Sequence, residues 1–460
     1  MKARMTEGAV APMLIRLTLP MIIGVLGMVA FNLVDTFFVG QLGTLELAAM
    51  SFTFPVVLIV SSISMGLGIG MSSMVSQAIG RGDRHDVQRL TTDGLALALL
   101  IAFAIMLLGL LTMEPLFALL GATPDIVPLI SDYMTIWYLG IPFMIIPMVG
   151  NNAIRATGDT TTPSMVMMVV VFVNIILDPL LIFGIGPFPR LELAGAAIAT
   201  VIARMMTMLV AGWILIVRDK MVTFERPDLK RVLSSWRTMT YVGLPAAATN
   251  LIMPVSLVVM TRLVAGYGAT AIAAFGAASR VDMVSMIVTM ALSSVLSPFV
   301  GQNWGAKRRD RVLQGITYSH TFAIGWGLLL FLLLLPTAPL VASLFSDNQE
   351  VIAIMSHYLW IVPLGYSGQA VLLLSNSVFN ALGRPLHAAS LTLTQMLVLY
   401  IPLAFIGSAL IGLDGIFGAA LIANTLSGTA AFFWLRREAG KRVQQPATEQ
   451  EPPVLASTLS

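Results

Sequence analysis

Long uncharged apolar runs, broken by short stretches rich in charge, glycine and proline, recur along the 460 residues of this chain. Residues 312–346, for example, contain no Asp, Glu, Lys or Arg. About 18 such residues suffice to span a bilayer. The pattern predicts twelve membrane-spanning helices, at 13–40, 48–79, 93–119, 129–154, 161–184, 193–217, 239–265, 273–303, 314–340, 349–380, 386–411 and 414–435. Helices are the expected form, because a segment in lipid must satisfy its own backbone N–H and C=O groups. A spanning barrel would alternate apolar and polar positions over segments of ~10 residues, and the chain shows no such alternation. Residues 1–12 and 436–460 read as polar ends. The second, with Pro446, Pro452 and Pro453, is expected to be disordered.

Composition agrees with the pattern. Hydrophobic residues make up 57% of the chain and charged residues 11%, against about 25% charged in a soluble domain. There is no cysteine, so disulfides and thiolate metal sites are excluded. The first apolar segment is long and continues into the membrane pattern, so a cleaved signal peptide is not expected. The basic residues set the orientation. With the N-terminus inside, 22 of the 26 Lys and Arg residues fall in inside loops and ends. Arg190 alone falls in an outside loop, and Arg204, Arg262 and Arg280 lie within or near helices. Both termini are therefore expected to be cytoplasmic. The basic loops need no nucleic-acid partner to explain them.

Shifted by 225 residues, the chain matches itself. Leu19-Pro20 falls on Leu244-Pro245, Val75, Gln77 and Gly80 on Val300, Gln302 and Gly305, and Leu139-Gly140 on Leu364-Gly365. Ala156 and Gly158 fall on Ala381 and Gly383, and at a shift of 223 Gly195-Ala196-Ala197 falls on Gly418-Ala419-Ala420. The expected fold is an all-α integral membrane protein of two six-helix lobes, 13–217 and 239–435, joined by the basic linker 218–238. Six helices per lobe give both lobes the same topology, so a pseudo-twofold axis along the membrane normal is expected, as in carriers built from parallel repeats.

Two acids break this symmetry. Asp35, in "MVAFNLVDTFFVG", falls on Met260, and Asp178, in "VNIILDPLLIFG", falls on Leu403. At ~1.5 Å per residue both lie in the outer half of the membrane. Asn174 precedes Asp178 by four residues and shares its helix face. Asn32 and Thr36 flank Asp35 and are candidate substrate-cavity residues. An ionised acid at a helix centre costs roughly 2.5–3.5 kcal/mol on insertion scales, so two acids without a basic partner point to a function. They suit either a proton that comes and goes or a sodium ion held at Asp35, Asn174 and Asp178 by hard oxygen ligands. Pro20 removes a backbone hydrogen bond from the first helix and allows it to bend. Arg204, Tyr138 and Phe172 are candidate substrate-cavity residues, with Tyr366 and Tyr400 as further aromatic faces. Arg280 and Asp282 read as a local ion pair. His357 and His387 have no companions at metal-ligand spacing, so no metal site is expected.

The stretches "LPMIIGVLGMVAFNLVDTFFVGQLG", "VSQAIGRGD" with "VGQNWGAKR", and "AIRATGDTTTP" with "VFNALGRP" resemble the multidrug and toxic compound extrusion (MATE) family over residues 10–435. Within it the chain resembles the DinF branch, whose helix-1 Asp and helix-5 Asn and Asp match Asp35, Asn174 and Asp178. The resemblance also implies a helix-6 hydroxyl beside the site, matched by Thr200, and a helix-1 hinge, matched by Pro20. The chain departs from the NorM branch: Met253 stands where helix 7 of that branch has a Glu, and helix 10 offers only Gln369 and Asn376. The family implies a cation-coupled exporter of amphipathic, often cationic drugs, with no cofactor and no enzyme activity. The expected setting is a bacterial inner membrane, with the lipid bilayer as partner and a monomer as the working unit. The coupling ion is expected to be a proton, with sodium as the alternative. A lipid-linked oligosaccharide flippase would need more cations than Arg204, Arg262 and Arg280 to hold a pyrophosphate. A non-transporting membrane scaffold is the remaining alternative.

Overall fold

A computed structural model describes residues 3–444, apart from the side chains of Asn32, Leu33, Thr36 and residues 440–444. Nearly all of it is helix. The twelve spans are α1 (Val10–Gly40), α2 (Thr44–Arg81), α3 (Arg84–Leu119), α4 in two pieces (Val127–Leu139 and Ile141–Ala156), α5 (Thr161–Phe183), α6 (Glu192–Arg218), α7 (Leu229–Ala265), α8 (Ala269–Gly305), α9 (Arg309–Ser343), α10 (Gln349–Ala381), α11 (Pro385–Ile411) and α12 (Leu413–Gln444). Eleven are single helices long and apolar enough to cross a membrane, and the bent α4 makes the twelfth.

Several boundaries differ from the sequence reading. Helix α3 begins nine residues earlier, at Arg84, because Asp83 caps it by accepting the Asp86 N–H at 2.9 Å. Helix α7 begins at Leu229, so half of the expected 218–238 linker is helical. Helix α12 continues to Gln444, so the first residues of the expected tail are also helical. Charged residues at these ends lengthen a helix into water without changing the apolar window that hydropathy detects. The rest of the tail lies outside the described residues.

The repeat is visible in the backbone. The two pieces of α4 meet at Gly140 with a bend of 44°. Its repeat partner Gly365 ends a short tight-helical turn, Val362–Gly365, inside α10. Gly158 and Gly383, also repeat partners, follow these spans with φ of 93° and 70°. That left-handed conformation favours glycine.

The chain forms two compact units, one holding Leu19–Ala247 and the other Met5–Thr18 with the chain from Ala248. In the first unit α2 and the start of α7 pack backbone to backbone, and a Cβ at Gly66 would stand 2.3 Å from the Gly243 carbonyl oxygen. In the second unit the core gathers Met260, Phe275, Tyr358, Tyr366 and Phe417. The segment before α1 is held in this second unit. The Met5 N–H donates to Gln302 Oε1 at 3.1 Å, and Asn303 Nδ2 donates to the Met5 carbonyl at 3.1 Å. The buried Arg311 guanidinium donates to the carbonyls of Met5, Glu7 and Gly8.

Candidate functional site

In the first unit, four helices bring charge to one place. Asp178 on α5 is fully buried, and so is Asn174 one turn before it. Asn174 Nδ2 donates to Asp178 Oδ1 at 2.9 Å, the pairing that their spacing of four predicts. That bond leaves Asn174 Oδ1 and Asp178 Oδ2 buried with no hydrogen-bond partner. Each is an acceptor only, so neither can satisfy the other while Asp178 is ionised. An unsatisfied buried polar group costs about 1–3 kcal/mol. Two buried acceptors side by side suit a positive or donating species: a proton on Asp178, or a cation that takes oxygen ligands.

Asp35, half-buried on α1, lies within electrostatic reach of Asp178 on α5 and of Arg204 on α6. The Tyr133 hydroxyl, on the first piece of α4, is in the field of all three. Arg204 thus belongs with the acids. It offsets part of the negative charge of Asp35, which the sequence reading left without a basic partner. Thr200, buried on α6 one turn before Arg204, shares that face.

Two candidates do not join this group. Phe172 is 59% exposed. It lies two residues before Asn174, which in an α-helix places it on nearly the opposite side. Tyr138 is 1% exposed and packs edge-on against Trp137 at 5.8 Å. A Cβ on Gly109 would stand 2.2 Å from its ring, so Tyr138 fills the helix contact that this glycine opens. Pro20 lies within a continuous α1. Asn32 and Thr36 lie outside the described side chains. Tyr133 was missed by the sequence reading. Its only local signal was the repeat, which pairs it with Tyr358.

The second unit corrects another reading. Asp282 on α8 does not pair with Arg280. Its two carboxylate oxygens accept hydrogen bonds from the hydroxyls of Tyr358 and Tyr366, both on α10. Arg280 is two residues away, on the far side of the helix, and is exposed. His357 faces Asp414 at 3.2 Å across two exposed ends. Among the described residues no group of three His, Asp or Glu could hold a metal ion.

The comparisons agree with this architecture. The family model MatE matches residues 20–180 and again 245–406. The second match starts 225 residues after the first, at the spacing of the internal repeat. A protein of Shewanella oneidensis described as an FAD transporter is 40% identical over 424 residues, covering 92% of this chain and 94% of that protein. The multidrug export protein MepA of Staphylococcus haemolyticus is 25% identical, covering 93% of each. Among solved structures, the Vibrio cholerae MATE transporter VcmN in its bent form superposes with a TM-score of 0.89 at 30% identity, covering 94% of this chain and 97% of that one.

Proposed function

The chain belongs to the MatE family of multi-pass membrane transporters, and from that premise we propose that it exports amphipathic small molecules in exchange for protons that enter at the Asp35–Asp178 site. The observation that carries this reading is the pair of buried oxygens, Asn174 Oδ1 and Asp178 Oδ2, that have no donor. A proton on Asp178 makes one of them a donor. Protonation of Asp35 removes the charge that faces Arg204 and leaves the guanidinium seeking another anion. Both events change the forces between α1, α5 and α6, and Pro20 gives α1 the freedom to bend in response. Drug and proton then weaken each other's binding, and linkage makes that effect reciprocal. With the basic loops inside, both termini face the cytoplasm of a bacterial cell, and the proton enters from the outer face.

Purified protein in liposomes tests this. We expect efflux of a cationic dye under an imposed pH gradient without sodium, and a loss of at least ~10-fold in Asp35→Asn, the scale of a strong charge-assisted interaction. Efflux driven by sodium alone would replace the proton with sodium bound by Asp35, Asn174 and Asp178. A mutant equal to wild type under both gradients would sink the site itself.

A second reading concerns the cargo. The Shewanella relative is described as an FAD transporter, and Arg204 supplies a guanidinium within the membrane that suits a phosphate. Equilibrium binding of a flavin dinucleotide to the purified protein, lost in Arg204→Met while dye binding persists, would establish it. Equal dinucleotide binding by Arg204→Met would remove Arg204 from cargo recognition.

A further inference from the structure

The second unit holds a carboxylate that the first-unit mechanism does not use. Asp282 is half-buried, while its partners Tyr358 and Tyr366 are 5% and 0% exposed. The two phenols come from opposite sides of the break in α10: Tyr358 precedes the Val362–Gly365 turn, and Tyr366 follows it directly. Tyr358 is the repeat partner of Tyr133, the phenol that faces the acids of the first unit. The same position of the broken span thus places a phenol within electrostatic reach of a carboxylate in each unit, although the acids come from different helices and, among the described residues, only Tyr358 is hydrogen-bonded to its acid. Position 57, the repeat partner of Asp282, is Val57, and position 141, that of Tyr366, is Ile141.

Two phenol donors stabilise the ionised form of Asp282, but they bring no positive charge. Among the described residues no Lys, Arg or His hydrogen bonds to it or forms an ion pair with it. A carboxylate has about four acceptor positions, and the phenols take two. The rings of Phe275 and Phe417 pack edge-on against Tyr358 at 6.0 and 5.0 Å, and Tyr400 lies within electrostatic reach of the carboxylate. The result is a half-buried carboxylate without a basic partner at the edge of an aromatic cluster. A carboxylate without a basic partner is chemistry that recognises a cation by charge.

We propose that Asp282, with Tyr358 and Tyr366, forms a second ligand site, in the second unit, that binds the charged centre of an amphipathic organic cation. The ligand class rests on the exporter reading; the position and sign of the charge do not. The phenols orient the carboxylate, and Asp282 supplies the attraction.

Equilibrium binding of tetraphenylphosphonium to the purified full-length protein, without sodium, tests this. Triphenylphosphine oxide serves as a neutral probe of similar shape. Asp282→Asn removes the charge and keeps an acceptor for one phenol, while its NH2 donates to the other hydroxyl oxygen. We expect its tetraphenylphosphonium affinity to fall about tenfold or more, with neutral-probe binding and melting temperature unchanged. Asp282→Glu should restore cation binding. The site is overturned if wild type does not bind the cation, if Asp282→Asn binds it as wild type does, or if both probes and the melting temperature fall together. The last outcome would make Asp282 a strut between α8 and α10. The exporter reading fails separately. Liposomes that export no cation, with a charge-selective loss in Asp282→Asn, would leave the site standing; normal export with unaltered binding in Asp282→Asn would remove the site alone.

Discussion

Asp178 and Asn174 show how much an unsatisfied acceptor matters in a low-dielectric setting. Their shared bond satisfies one oxygen of Asp178 and strands two other acceptors. Asp178→Asn replaces the stranded acid with an amide that resembles the protonated form. We expect its pH-gradient-driven efflux to fall at least ~10-fold while its melting temperature holds or rises, because the amide adds a donor where a buried acceptor lacked one. Reconstituted efflux and a thermal-shift assay check the two halves; a lower melting temperature would mean that the ionised carboxylate itself holds α5 in place. The acids and Asn174 were legible in the sequence because a charge in an apolar run stands out and a spacing of four fixes a helix face. Tyr133 was not, because a tyrosine in an apolar helix has no such contrast. Phe172 was misplaced for a related reason: nothing in the sequence says which side of α5 meets its neighbours.

At the scale of the element, α1 is where anchoring and chemistry meet. The residues just before it are tied into the second unit by Gln302, Asn303 and Arg311, and Asp35 lies near its other end in the first. Pro20 follows the point where the helix passes from one unit to the other, between Thr18 and Leu19. Pro20→Ala restores a backbone donor and stiffens the helix. We expect several-fold slower dye efflux with unchanged dye affinity; equal rates would show that α1 does not bend there. Arg311→Met keeps the stem and removes the donors to three carbonyls. Charged hydrogen bonds contribute about 1.5–3 kcal/mol each when their partners are otherwise stranded, so a clear fall in melting temperature is expected, and an unchanged one would mean water replaces the guanidinium. The glutamine of "VGQNWGAKR" was visible in the repeat as the partner of Gln77, but its contact with Met5, 297 residues away in the chain, was not.

For the molecule as a whole, the segment between α6 and α7 is docked by charge. Glu225 accepts from Arg89 at 2.8 Å and pairs with His85 at 3.2 Å, and Gln88 Nε2 donates to the Lys220 carbonyl at 2.9 Å. The hydrogen bond with His85, followed by the charges of Arg89 and His85, holds the Glu225 carboxyl below its usual range. A carboxyl with a lowered pKa in the folded state stabilises that state above its unfolded value, about 4.3 for Glu, and loses the effect as pH falls through the lowered value. Hydrogen-exchange protection across residues 219–228, corrected for the intrinsic pH dependence of amide exchange, should therefore be higher at neutral pH than below about pH 4, with Glu225→Gln low at both. Protection that ignores pH would assign the docking to the backbone and Gln88 instead.

Hydropathy, loop charge and the 225-residue repeat determined the twelve spans, the two matching halves and the unequal placement of Asp35 and Asp178. These are properties of neighbouring residues, of spacing within a helix, or of one stretch set against its copy. The tertiary structure alone decided that Arg204 and Tyr133 join those acids, that Asp282 meets two phenols rather than Arg280, that Tyr138 is core, and that Met5 is clamped by Arg311. Each of these depends on which faces of distant helices meet. A helix that is apolar on every side carries no stripe to announce its facing, so packing between segments, rather than local pattern, makes the choice.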